Sequence, residues 1–211
     1  MIEASAMRRA AAAVLALGVI VLATLFLTSK GALPWLGGEQ ASRFHGRDVT
    51  SENWAADFSL SDASGQARTL SDFRGKVVLL SFGYTHCPDV CPTTLAKFAQ
   101  VRHLLGTDAQ RVQALFVTVD PARDSAQVLR SYVPKFDPSF IGLRGTTAQT
   151  DAAVSSFHAS YQINERHGEI EVDHTASTYL IDEQGKTRVV TPYDESARAL
   201  ADDVLVLLHN G

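Results

Sequence analysis

Cys87 and Cys91 are the only cysteines in this chain of 211 residues, and they stand four positions apart in Tyr84-Thr85-His86-Cys87-Pro88-Asp89-Val90-Cys91-Pro92. On a helical turn, residues at i and i+4 share one face, with Cβ atoms about 5–6 Å apart. Two sulfurs so placed can grip one soft metal ion or close a disulfide, and the spacing alone leaves that choice open. Pro88 and Pro92 restrict the backbone around the pair. A helix opening at Pro92 would aim its free N–H groups and positive dipole end at this loop, which favours thiolate over thiol. Structural zinc is closed by four protein ligands, whereas copper(I) accepts two or three soft ones. With only two sulfurs available, imidazole must complete any metal site.

Seven histidines are candidates. His45 lies in a polar tether, His103 and His158 on predicted helix faces, His209 at the end of the last helix and His167 beside Gly168 in a polar loop. Solvated or core roles suit all five. His86 adjoins Cys87 and could ligate occasionally. His174 precedes a predicted strand, Thr178–Ile181, across Thr175-Ala176-Ser177. If that strand neighbours the one that ends before Cys87, its leading loop arrives beside the cysteines. Asp89 reads either as a carboxylate favoured at a helix start or as an extra ligand for copper(II). Asp173 either orients a histidine or merely closes a turn.

The elements that must position these residues alternate. Lys76–Phe82 is a continuous apolar, β-branched run suited to a strand covered on both faces, and the cysteines follow its end. A helical pattern runs from Pro92 to the stop at Gly106, a second buried strand covers Ala114–Val119, and a helix from Asp124-Ser125 ends at Pro134. Phe140–Leu143 is a short strand, Thr147–Tyr161 a helix, Thr178–Asp182 a strand that turns onto Arg188–Val190, and Ser196–His209 a last amphipathic helix. Phe58–Leu60 and Ala67–Leu70 suggest a hairpin. Strands alternating with helices make an α/β sandwich, and the closing hairpin makes its sheet mixed. Functional residues of such sheets gather beyond the carboxyl ends of strands, where the Cys87–Cys91 loop falls.

Ala10–Leu27 is eighteen residues without a charge, about 27 Å of helix at roughly 1.5 Å per residue. Arg8 and Arg9 stand before it, so the expected arrangement is a cytoplasmic N-terminus (1–9), a transmembrane anchor (10–28), a tether (29–52) and an exported domain (53–211). Thr28-Ser29-Lys30-Gly31 offers no small-x-small cleavage site, which favours an uncleaved anchor over a signal peptide. The formal net charge of −4 argues against nucleic acid as a partner. A domain of this size builds its own core and needs no staple, so the cysteine pair reads as functional.

Three ordered motifs carry a resemblance. Tyr84–Pro92, then Val117-Thr118-Val119-Asp120-Pro121 with Arg123-Asp124, and Asp173-His174-Thr175 before Tyr179-Leu180-Ile181-Asp182 are similar to those of the Sco/SenC copper chaperones, over roughly residues 54–208. The resemblance implies a thioredoxin-like fold on a membrane tether, and one copper ion held by Cys87, Cys91 and His174. It further implies delivery of copper to the CuA site of cytochrome c oxidase subunit II, exchange with other copper chaperones, and residence in the inner membrane with the domain on the periplasmic side. The family carries a variable insertion where Gln162–Val172 lies. Some members are credited with thiol–disulfide work, so an oxidoreductase acting through a Cys87–Cys91 disulfide is the alternative; otherwise no enzyme is expected. Three residues separate the cysteines here, against two in the familiar redox motif. A thioredoxin-like peroxidase would lack both the second cysteine and the Asp-His-Thr segment.

Overall fold

The computed structural model describes residues 17–19, 43–52, 54, 57–166 and 169–210. The chain divides into Met1–Ser42 and Arg43–Gly211. Of the first unit only residues 17–19, which are helical, are described, so the expected anchor at 10–28 otherwise lies outside the described residues. Among these, no helix is long and apolar enough to cross a membrane.

Among its described residues the second unit has ten strands: β1 (Arg47–Asp48), β2 (Ser59–Asp62), β3 (Ala67–Thr69), β4 (Val77–Gly83), β5 (Val112–Thr118), β6 (Ile141–Arg144), β7 (Tyr161–Arg166), β8 (Glu169–His174), β9 (Thr178–Ile181) and β10 (Thr187–Thr191). Four α-helices accompany them: α1 (Val90–Leu105), α2 (Ala126–Tyr132), α3 (Thr147–Ser156) and α4 (Ala197–Asn210). Eight strands form one sheet in the order β1-β10-β9-β4-β5-β6-β2-β3, while β7 and β8 pair apart from it.

Every residue of β4, β5 and β9 is buried, as continuous apolar runs in the middle of a layered sheet require. β10, nearer the edge, alternates buried and half-buried positions. β5 runs parallel to β4 and to β6, whereas β9 runs antiparallel to β4 with Ser81 opposite Thr178. The sheet is therefore mixed, as expected, and the end of β4 meets the beginning of β9. α1 and α4 pack together, and their Leu95, Phe98, Leu200 and Val204 are fully buried. Phe82, Phe157 and Tyr179 meet edge to face, with centroids 5.2–5.9 Å apart, beneath the cysteine end of the sheet.

The structure differs from the sequence reading in two places. Residues 47–48, read as tether, pair with β10, and Phe44 and Val49 are buried. Asp203 holds this segment by accepting from the His45 and Gly46 N–H groups at 2.7 and 2.9 Å. The helix expected over Thr147–Tyr161 instead stops at Ser156. His158 then takes φ = +53°, a left-handed turn that cannot continue a helix, and the chain leaves as β7.

A candidate metal centre at the end of the central strand

β4 ends in Gly83, and glycine is needed there for space rather than for backbone freedom. A Cβ at this position would lie 2.6 Å from Cys91 Sγ and 2.8 Å from Phe116 Cε2. The missing side chain makes room for the buried sulfur of Cys91, the second residue of α1. Cys87 precedes α1 in the turn and is half-buried; the Cys91 N–H points at its Sγ, 3.4 Å away. Both thiols are free.

The turn is pinned from below by Asp124, which is fully buried. Its carboxylate accepts from the Thr85 N–H at 3.0 Å, the Thr85 hydroxyl at 2.5 Å and the Thr118 hydroxyl at 2.6 Å. The end of β5 and the loop behind it thereby fix the segment leading into Cys87.

Antiparallel pairing of β4 with β9 brings the connection from β8 over this turn. His174, the last residue of β8, places Nε2 3.5 Å from Cys91 Sγ. Donor atoms of Cys87, Cys91 and His174 all lie within 4.8 Å of one another, the one such group among the described residues. With metal–ligand bonds of about 2.0–2.3 Å, three donors spread evenly around an ion stand roughly 3.5–4 Å apart. The set closes on an ion with movements below about 1 Å.

Burial sets the protonation of the apo site. It pushes the Cys91 thiol far above the usual thiol range, against an opposing hydrogen bond to the Tyr84 backbone. The expected preference for thiolate therefore fails at Cys91, where loss of solvation outweighs the helix end. Burial lowers the pKa of His174, so its ring is neutral at pH 7. Its Nδ1 lies 3.0 Å from the Thr175 carbonyl oxygen, which can only accept. Nδ1 carries the proton, and the Nε2 lone pair faces the sulfurs.

Asp173 does not orient the imidazole. Neighbouring strand residues face opposite ways, and its carboxylate accepts from Asn164 Nδ2 at 2.8 Å. Asp89 occupies the cap position of α1 and accepts from the Thr93 hydroxyl at 3.3 Å, outside the donor group. His86 is exposed, with Nδ1 3.7 Å from Asp124 rather than turned to the sulfurs. His45, His103, His158 and His209 are exposed, His158 against the Trp54 ring, and His167 lies outside the described residues. Of the supporting residues, Gly83 had no signal of its own in the sequence. Tyr84, Thr85, Thr118 and Asp124 stood in motifs that gave none of them a role at the site, Asp124 being read only as a helix start. Tyr84 presents its ring at 89° to His174 with centroids 6.0 Å apart.

Comparison with known proteins agrees with this geometry. The SCO1/SenC family model matches residues 47–209. The human mitochondrial protein SCO2 homolog is 38% identical over 152 residues, covering 70% of this chain and 57% of its own length. The chain spans about half the length of the vertebrate relatives it matches. Copper-bound ScoI of Bradyrhizobium japonicum superposes with a TM-score of 0.66 at 35% identity, covering 72% of this chain and 98% of that one. Copper-bound yeast Sco1 gives 0.69 at 29% identity, with 75% and 90% covered. With its three motifs gathered at one end of a shared fold, the chain belongs to the SCO1/SenC family.

Proposed function

We propose that this protein is a copper metallochaperone that binds one copper ion through Cys87, Cys91 and His174 and passes it to the CuA site of cytochrome c oxidase subunit II. The observation that carries the reading is the convergence of two sulfurs and a neutral imidazole within 4.8 Å. Two soft sulfurs and one nitrogen suit copper(I), leave a three-coordinate ion open on one side, and fall short of a closed zinc site. Copper-bound relatives of the same fold support the choice of metal.

Release needs no unfolding. Cys91 is buried and Cys87 half-buried, and Cys87 lines an open cleft with Tyr84, Pro88, Val172 and Ala176. An incoming thiolate of the recipient approaches through this cleft, displaces Cys87 first, and draws the ion away by stepwise exchange. The same asymmetry serves the second reading, a thiol–disulfide oxidoreductase in which half-exposed Cys87 attacks and Cys91 resolves. In this proposal, residues 10–28 anchor the chain in the inner membrane and the segment from 29 to 42 tethers the domain that begins at Arg43 on the periplasmic side.

Copper(I) titration of the anaerobically reduced protein should saturate at one ion per chain, with sulfur and imidazole shells in X-ray absorption. His174→Ala should remove the nitrogen shell and weaken binding. Unaltered copper binding by that variant, together with dithiol turnover that ignores His174, would replace the chaperone by the oxidoreductase.

A further inference from the structure

The β7–β8 hairpin that carries His174 makes no ladder with the main sheet. At its base the Thr175 N–H donates to the Ser160 carbonyl at 2.9 Å, and the Ser160 N–H donates to the Thr175 hydroxyl at 3.0 Å. The Tyr161 hydroxyl donates to Asp151 at 2.6 Å. Val172 is buried against the core beyond these bonds, and the outer hairpin, with Ile163 and Ile170 exposed, projects as an arm whose swing would carry the imidazole off the sulfurs. A cation also reaches the arm farther out. Arg123, in the loop after β5, is ion-paired with buried Asp120 and donates from Nη1 to the Ile170 carbonyl at 3.0 Å. Its guanidinium carbon stands 5.6 Å from the centroid of the Tyr84 ring, whose edge-to-face partner is His174.

We infer that Arg123 is a positioning residue for His174, latching the hairpin so that the imidazole stays on the copper site. The inference rests on the ligand assignment proposed above. Ile170 lies four residues, about 13 Å of strand, from His174, so a tie there resists rotation about the base better than one beside the histidine. The guanidinium is a planar fork fixed at its inner side by Asp120, so its outward N–H is aimed before the hairpin arrives. Nη2 is buried without a hydrogen-bond partner, which weakens the closed arrangement and makes the latch one that can open. Copper transfer needs the third ligand to let go, and the latch sets how readily it does.

The test uses the full chain loaded with one copper(I) ion and challenged with excess bathocuproine disulfonate, whose coloured complex reports capture. Arg123→Met should speed capture by about tenfold, the size of effect expected for one hydrogen bond to a charged group. It should also thin the nitrogen shell in X-ray absorption. Arg123→Lys, which keeps a charge and a donor but not the fork, should fall between. In a His174→Ala background Arg123→Met should change capture by less than about twofold, because the latch acts only through the imidazole. Wild-type capture with a full nitrogen shell in Arg123→Met, or equal acceleration with and without His174, would overturn the proposal. If Arg123→Met does not fold, capture by Arg123→Lys at the wild-type rate does the same. His174→Ala alone behaving as wild type would instead strike the ligand assignment underneath.

Discussion

Gly83→Ala puts the packing behind the buried sulfur to a direct test. The new methyl carbon would lie 2.6 Å from Cys91 Sγ and 2.8 Å from Phe116 Cε2, where ordinary contact begins at 3.4 Å. The overlap is about 0.8 Å with the sulfur and about 0.6 Å with the ring. Neither neighbour can yield freely. Cys91 is held in the first turn of α1 and Phe116 is fully buried in β5, while Gly83 itself is locked opposite Thr118. Overpacking of this kind costs about 1–3 kcal/mol of folding stability. The side chain with the shortest path outward is Cys91, so the strain falls on the metal centre, and copper(I) affinity should drop by about 10- to 100-fold. Urea unfolding and competitive chelator titration of the purified protein measure the two effects. Gly142→Ala is the control. Its methyl would approach Val133 Cγ2 at 3.1 Å and Leu129 Cβ at 3.2 Å, touching none of the three donor residues, so it should lower stability and leave copper affinity alone. Wild-type affinity in Gly83→Ala, or an equal loss in Gly142→Ala, would refute the argument that this glycine exists to seat the sulfur.

Asp124→Asn should cost about 1–3 kcal/mol, because one amide oxygen cannot accept from the Thr85 N–H, the Thr85 hydroxyl and the Thr118 hydroxyl together; urea midpoints read the loss, and an unchanged midpoint would remove the pin beneath Cys87. Copper(I) affinity should rise with pH by at least about one decade per unit between pH 6 and 8. The sign follows from Cys91: burial holds its pKa above that whole range, so the ion must displace a proton that becomes easier to lose as pH climbs. Chelator competition at stepped pH checks the slope, and a flat profile would mean that Cys91 does not ligate as thiolate.

The central strands were readable because burial on both faces leaves one-sided choices: Val77–Gly83 and Val112–Thr118 are apolar apart from Ser81, Gln113 and Thr118, and length with β-branching separates them from helices. The approach of His174 was readable as a conditional, and the pairing of Ser81 with Thr178 met the condition. The hairpin was hidden for a physical reason. Thr147–Ser156 is a good helix with a capping box at Thr146, and its apolar period runs on through Phe157 to Tyr161. What ends it is a left-handed His158, a residue that signals no break by type. The alternation of Tyr161–Arg166 and Glu169–His174 around His167-Gly168 was a usable signal. Arg123 was visible only as a letter in a motif and Asp124 only as that and a helix start, because their work depends on which loops the sheet brings together.

Cys91 and His174 meet across 83 positions of chain, through a strand pairing that joins β4 to β9. A newly made or partly unfolded molecule owns a dithiol but no imidazole beside it, and can oxidise or pick up metal in ways the finished domain does not. Possession of the third donor is thus a certificate of completed folding. Under the proposed ligation, copper held through nitrogen as well as sulfur would distinguish mature molecules from immature ones, and a recipient that draws only on three-coordinate cargo would be supplied by correctly assembled donors alone.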